Sequence, residues 1–340
     1  MSKTSSKNHK ALDRAASGDR YWKPRSKAWV ALELAALVAA LAENFYLPTK
    51  QDVDDLPYRV VLGAALVAMA ALVGVSALRG TRLGEKARER LHHYAQYILV
   101  LVLVLVAWDL LTEKSDLLPL PFFPSLAQVL QIIAEDYQKL LLSTLYSVRL
   151  LVVSFAIGTA SGLATGVFLG WYRQVGYWVF PTVKIMSVIP ATAWIPVSML
   201  IFPSSFGAEV FLIVLSVWSP VAYMTATGIA GVPRAHIEAA LTLGADEKFL
   251  LFRVAVPGAM PSIFIGIYTA TGLSFATLVV SEMLGAKAGL GWYINWAKSW
   301  SNYAAVYASI VIMAILFSIV MDLIFQLRDR ALVWQKGLLK

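Results

Sequence analysis

The sequence predicts an all-α polytopic membrane protein, and three observations carry that prediction. Of 340 residues, 59% are hydrophobic and 15% charged, too little charge for a soluble domain of this length. The apolar residues gather into eight runs, each near the ~20 residues that a helix needs to cross the hydrocarbon core. Basic residues concentrate in alternate loops between those runs, the signature of a membrane topology.

Residues 1–27 are polar and carry eight Lys/Arg against Asp13 and Asp19. They read as a cytoplasmic segment, too charged and too long before its apolar run for a simple cleavable signal. Spans follow at about 28–47, 59–78, 94–111, 142–171, 177–202, 208–230, 261–284 and 303–326. The fourth run is long enough to begin with an interfacial elbow. With the N-terminus inside, the loop holding Asp52, Asp54 and Asp55 falls outside, and that holding Arg79, Arg82, Lys86, Arg88 and Arg90 falls inside. Loop 112–141 is then outside, Arg173 and loop 231–261 are inside, and the tail with Arg328, Arg330 and Lys336 is inside as well. Both termini are expected in the cytoplasm.

Composition also excludes. With no cysteine there is no disulfide and no thiolate metal site, and the four histidines show no ligand spacing, so no metal is expected. The net charge of +8 sits in loops, with no basic patch interleaved with stacking aromatics, which argues against nucleic acid. No G-x-x-x-x-G-K-[ST] loop cradles a phosphate, and no nucleophile elbow, H-E-x-x-H or paired-carboxylate site appears. The chain is expected not to be an enzyme and to bind no cofactor.

Between two apolar runs, residues 231–261 read GVPRAHIEAALTLGADEKFLLFRVAVPGAMP. Pro233 suits the start of a helix carrying Glu238. Ala239, Ala240 and Gly244 are read as one small-residue face, and Gly244 suits a positive φ that ends the helix. Pro257 and Pro261 suit a break where the chain turns back into the bilayer. Glu238-Ala239-Ala240, Gly244 and then Val254-Ala255-Val256-Pro257 resemble the EAA loop of binding-protein-dependent ABC importer permeases, with Val254 and Val256 as conservative departures. Other stretches resemble the branch that imports nitrate, sulfonates, taurine or bicarbonate: Pro121-Phe122-Phe123-Pro124-Ser125, Ser147-Val148-Arg149, Val188-Ile189-Pro190 through Ile195-Pro196, and Ser281-Glu282 with Gly289-Leu290-Gly291.

The resemblance covers residues 94–335 and implies a six-helix type I ABC importer permease core, to which two extra N-terminal transmembrane helices are added. The corresponding division is a basic segment 1–27, an N-terminal extension 28–93, a permease domain 94–327 and a tail 328–340. It implies a dimer, homo- or heteromeric, in a bacterial inner membrane. Two ATPase subunits would carry ATP and Mg, docking on Arg234, Glu238, Ala239, Ala240, Gly244, Ala245 and Pro257, and an extracytoplasmic binding protein would deliver the substrate. An oxyanion or sulfonate is the first expectation for that substrate, and a small heterocyclic or pyrimidine-type precursor the second. An ion-coupled carrier, with Glu33, Glu43, Lys184 and Glu282 as relay groups, is the more distant alternative.

Ionisable groups within spans are costly and mark interiors or water-filled paths. Lys184 and Glu282, with the hydroxyls of Thr269, Ser274, Thr277 and Ser281, are candidates for the translocation path, but those hydroxyls can equally satisfy carbonyls of their own helix. Gly158, Gly162, Gly166 and Gly170 recur every four residues, a stripe that lets helices approach closely in lipid. It suits either a moving interface or static packing within one subunit. Trp292, Tyr293, Trp296, Trp300 and Tyr303 suit an interfacial aromatic belt or a docking surface for the binding protein.

Overall fold

A computed structural model describes residues 35–42, 46, 60–61, 63–64, 66–71, 100–115, 117–118 and 120–333. Segment 1–27, the basic loop 79–93 and residues 334–340 lie outside the described residues. The two added N-terminal spans fall only partly within them. The chain divides into two compact units, up to Gln128 and from Val129 onward. In the first, Leu37, Ala40, Leu66 and Val102 form a small buried cluster. Residues 100–109 are helical and pass into a wide turn, Leu110–Lys114. Trp108 Nε1 donates to the Pro124 carbonyl at 3.1 Å.

Helix α1 (Leu126–Glu135) starts at a capping box: Ser125 Oγ accepts from Gln128 N at 3.3 Å, and Gln128 Oε1 accepts from Ser125 N at 3.2 Å. Asp136 separates α1 from α2 (Tyr137–Trp171), which runs unbroken through 142–171 and Ser147–Arg149, so the elbow expected at the start of that run is not there. Beyond it, α3 (Arg173–Val188) and α4 (Ile195–Ile201) are followed by α5 (Ser205–Ala230).

The glycine stripe sets how α2 meets α5. A Cβ at Gly158 would stand 2.7 Å from Val217 Cβ, one at Gly162 2.8 Å from Val221 Cβ, one at Gly166 2.5 Å from Thr225 Cβ, and one at Gly170 2.8 Å from Ile229 Cβ. Both series climb four residues at a time in the same direction, so the two helices run parallel, backbone nearly on backbone. Packing contacts must replace the hydrophobic effect in lipid, and here they come from the faces of Val217, Val221, Thr225 and Ile229. Of the two readings of the stripe, the structure shows packing within one subunit.

Parallel neighbours require a return crossing between them, and α3 with α4 supplies it. Phe180 and Val183 of α3 pack with Leu169, Ala222 and Ala226, whereas Ile195, Ser198 and Met199 of α4 line a pocket with Ser205, Ala208, Glu209 and Leu212. Ala208 and Ala226 lie ~27 Å apart along α5, close to the thickness of a hydrocarbon core. The expected span 177–202 is therefore a broken one, its halves Arg173–Val188 and Ala191–Ile201 bent by 95°. Pro190 has no N–H to donate, and Ile189 before it is extended at φ −77°, ψ 119°.

A second correction concerns Pro257 and Pro261. No break occurs there: Glu247–Gly285 is one helical run of 39 residues, α7. A wide turn at Leu250–Ala255, where Val256 N reaches back to Leu251 O, precedes Pro257 in the first turn of the regular helix that follows. Such wide turns re-space the carbonyls and let a helix tolerate a missing N–H. Helix α7 runs antiparallel to α5, since a Cβ at Gly228 meets Ser262 and Ala259, and one at Gly266 meets Met224 and Pro220. The last helix, α9 (Tyr303–Ala331), is antiparallel to α7, with Tyr268 on Phe325 and Phe275 on Phe317. The ends of α2 and α9 and the 231–246 loop thus share one side of the bundle; Asp136, Ser205 and Gly285 share the other.

Candidate functional site

On the first side, Ala230 leads through Val232 and Pro233 into α6 (Arg234–Thr242), in which no residue is buried. Arg234, Glu238 and Ala239 are exposed, Ala240 and Ala245 half-buried, and Leu241 and Leu243 are 51% and 89% exposed. The helix ends as the residues dictate. Gly244 takes φ +85°, and Ala245 N returns to Ala240 O at 3.1 Å, closing the end of the helix. Gly244 therefore lies beyond α6 and not on its face with Ala239 and Ala240, contrary to the expectation. Asp246 then caps α7, accepting from Phe249 N at 2.9 Å. Trp171, the last residue of α2, donates its Nε1 to Glu247 Oε1 at 3.1 Å, and Leu251, Ala255 and Ala259 pack beside Ile229, with Trp171 against them. An exposed knob thus sits on a base tied to α2, α5 and α7 together.

The opposite end holds a buried polar clasp. Glu282, 1% exposed, accepts from Ser147 Oγ at 2.7 Å and from Gly291 N at 2.8 Å. Ser147 Oγ in turn accepts from Leu290 N at 2.9 Å. Here α8 (Leu290–Ser299) begins, and its first N–H groups lack helical partners; the carboxylate and the hydroxyl supply them. Gly289 stands at φ +135°, and a Cβ there would lie 2.5 Å from the Glu282 carboxyl carbon. The Glu…Gly-Leu-Gly pattern is thus a turn wrapped around a carboxylate. Outside the spans, Lys139 Nζ donates to Asp136 Oδ1 at 2.8 Å and Tyr293 OH to Asp136 Oδ2 at 2.7 Å. Lys139, opposed by burial and helped by Tyr293, holds the Asp136 carboxyl below its usual range, while burial and then Asp136 push the Tyr293 phenol up. Tyr293 is fully buried, so within the expected aromatic belt it is a core residue; Trp300, 73% exposed, is not.

The path candidates divide between α3, which carries Lys184, and α7, which carries the rest. Lys184 lies on the exposed face of α3. Thr269, Ser274 and Ser281 donate to Ile265 O, Thr271 O and Leu278 O in their own helix, and Thr277 is buried. Glu282 belongs to the clasp. Sequence reading missed Glu209, a buried ionisable residue near the start of an apolar span, although that position was itself the signal. The described residues contain no group of three or more His, Cys, Asp or Glu able to hold a metal.

The family model for the binding-protein-dependent transport system inner membrane component matches residues 158–334. The chain belongs to this family. The match contains the whole 231–261 loop. A putative ABC transporter permease of Methanocaldococcus jannaschii is 30% identical over 199 residues, which cover 56% of this chain and 74% of that protein. A nitrate import permease of Synechococcus elongatus is 25% identical over 214 residues, 60% of this chain and 77% of that one. Among solved structures, the MetNI methionine ABC transporter in an inward-facing form is similar over 58% of this chain and 98% of that one, with a TM-score of 0.51 and 20% identity, a likeness of fold alone. As a binding-protein-dependent permease with a type I importer fold, the chain is a multi-pass membrane subunit and not an enzyme. The family implies partners that hydrolyse ATP and bind solute.

Proposed function

We propose that this permease forms, with a second permease copy, the pathway of an importer for a small oxyanion or sulfonate, and that α6 couples it to the ATPase. The observation that carries the coupling is the contrast between α6, which buries nothing of its own, and its base, which is anchored in three spans. A rigid knob of that kind suits insertion into a cleft of a soluble partner, with Glu238 and Arg234 as its charged contacts and Ala239, Ala240 and Ala245 allowing close approach. Pro257 then belongs to the shaft behind the knob. In this reading the knob, both chain ends and Arg173 face the cytoplasm, in keeping with the charge bias of the loops, and residues 94–327 act as the permease domain. ATP-driven closure of the motor moves two such knobs together and switches the pathway between its two facings. The oxyanion is favoured by the likeness to the nitrate permease and by the resemblance of the Pro121–Ser125 and Ser147–Arg149 stretches to that branch.

The test is purification of the solubilised protein from its native membrane, followed by reconstitution. A P-loop ATPase is expected to co-purify, and Glu238→Lys or Gly244→Trp to uncouple ATP hydrolysis from nitrate or sulfonate uptake while the permease still reaches the membrane. Full uptake by both variants would overturn the docking role; solute movement driven by an ion gradient without an ATPase would overturn the importer.

A further inference from the structure

The broken span carries two features that are costly against lipid, and both lie on one exposed surface. The first is the break. Ile189 stands at φ −77°, ψ 119° and Pro190 at φ −57°, ψ 135°, neither of them helical. Both are exposed, as is Val188 at 77%. Before the break α3 packs on Ala222 and Ala226, and after it α4 packs beside Ala208 and Leu212. The break therefore falls within the ~27 Å of α5 that matches the hydrocarbon core. Non-helical backbone at that depth persists only where protein covers it or where it lines water.

The second feature is Lys184. It precedes Val188 by four residues and so shares its face of α3, while Val183 beside it is buried against Leu169, Ala222 and Ala226. No ion pair among the described residues involves Lys184, and a charge on a span faces a protein interior or water. Snorkelling along lipid would account for the lysine alone, but not for the bare backbone within two turns of it. Dry burial against a second copy is unfavourable, because a two-fold contact over this face brings two Lys184 ammonium groups together. We propose that this face of α3, with the break, lines the aqueous solute pathway, and that Lys184 is the charge that admits and holds a small anion there. The inference rests on the importer reading and deepens it, since the permease itself then selects for negative charge.

The chain has no cysteine, so Val188→Cys creates a single reporter, within the ~5–6 Å that separates side chains four residues apart on a helix. Membrane fragments open on both sides and holding the permease with its ATPase are treated with two thiosulfonates of similar size, one bearing a sulfonate and the other a trimethylammonium. ATP is present or absent, so that both facings are sampled. Val188→Cys is expected to react in at least one condition, and faster with the sulfonate reagent. Ile319→Cys, at a 53% exposed position of α9, is expected to stay unreactive. Lys184→Gln is expected to lower the ratio of sulfonate to trimethylammonium rates on the order of tenfold, and Lys184→Arg to preserve it. Equal reactivity of Val188→Cys and Ile319→Cys, both fast or both absent, overturns the aqueous face; a ratio unmoved by Lys184→Gln overturns the anion role. Co-elution of the ATPase reads the importer assignment separately, because the labelling would proceed on an ion-driven carrier as well.

Discussion

Gly166→Ala tests the parallel packing of α2 on α5. An added Cβ would stand 2.5 Å from Thr225 Cβ and 2.7 Å from the Ala222 carbonyl oxygen, where ordinary contact begins at 3.4 Å. The shortfall is about 0.9 Å, and neither neighbour is the free end of a flexible side chain. Relief must come from moving one helix, which also opens the contacts at Gly162 and Gly170 one turn away. Overpacking of this kind costs ~1–3 kcal/mol, and the helix propensity gained by replacing glycine with alanine returns up to ~1 kcal/mol. A net loss of ~1–2 kcal/mol is expected. Gly272→Ala is the control, because a Cβ there meets nothing within 4 Å, and the same propensity gain then acts alone with the opposite sign. Thr225→Gly is expected to rescue Gly166→Ala only in part, since the Ala222 carbonyl remains. The assay is thermal unfolding of the purified permease–ATPase complex. Gly166→Ala unfolding at or above the wild-type temperature would refute the packing argument.

Two further outcomes follow from the opposite end of the bundle. Gly289→Ala places a Cβ on the Glu282 carboxyl at a φ that costs ~1–3 kcal/mol for other residues, so α8 is expected to undock, read as faster amide exchange over 290–299; unchanged protection would contradict the wrapped turn. The contribution of the Asp136–Tyr293 pair to the docking of α8 is also expected to be flat across neutral pH. The lowered Asp136 value gives stability that is full above the ordinary carboxylate value of ~3.9 and lost as pH falls through its folded value. The raised Tyr293 value gives stability that is full below ~10 and lost as pH rises beyond it. Tryptophan fluorescence from Trp292 and Trp296 reports both limbs, Asp136→Asn should remove the acid one, and an acid limb that survives that substitution would exclude this pair as the latch.

Part of the fold was legible because lipid leaves few options: apolar length located the runs at 142–171, 208–230, 261–284 and 303–326, each of which falls within one long helix. The glycine stripe announced close approach but not its partner, since four-residue spacing is equally satisfied by a helix of the same subunit or of another. Pro190 and Pro257 show where local signals fail. Both remove a donor, yet the chain bends at the first and runs on through the second, because the wide turn at 250–255 absorbs the defect before it. The loop motif placed α6, and Gly244 ended it by the geometry expected. Glu282 was noticed for its charge, but its partners were not legible, since only the folded turn brings Ser147 and Gly291 to it across 135 and nine residues of chain.

Helix α7, 39 residues long, measures ~58 Å, about twice the thickness of the hydrocarbon core. Its midpoint is Gly266, where it presses on the backbone of Pro220 and Val221. A rod borne at its centre behaves as a seesaw with equal arms: tilting it by about 10° swings each tip by roughly 5 Å, in opposite directions. Both tips are hydrogen-bonded to α2, by Trp171 at Glu247 and by Ser147 at Glu282, so such a tilt either carries α2 with it or breaks those two bonds.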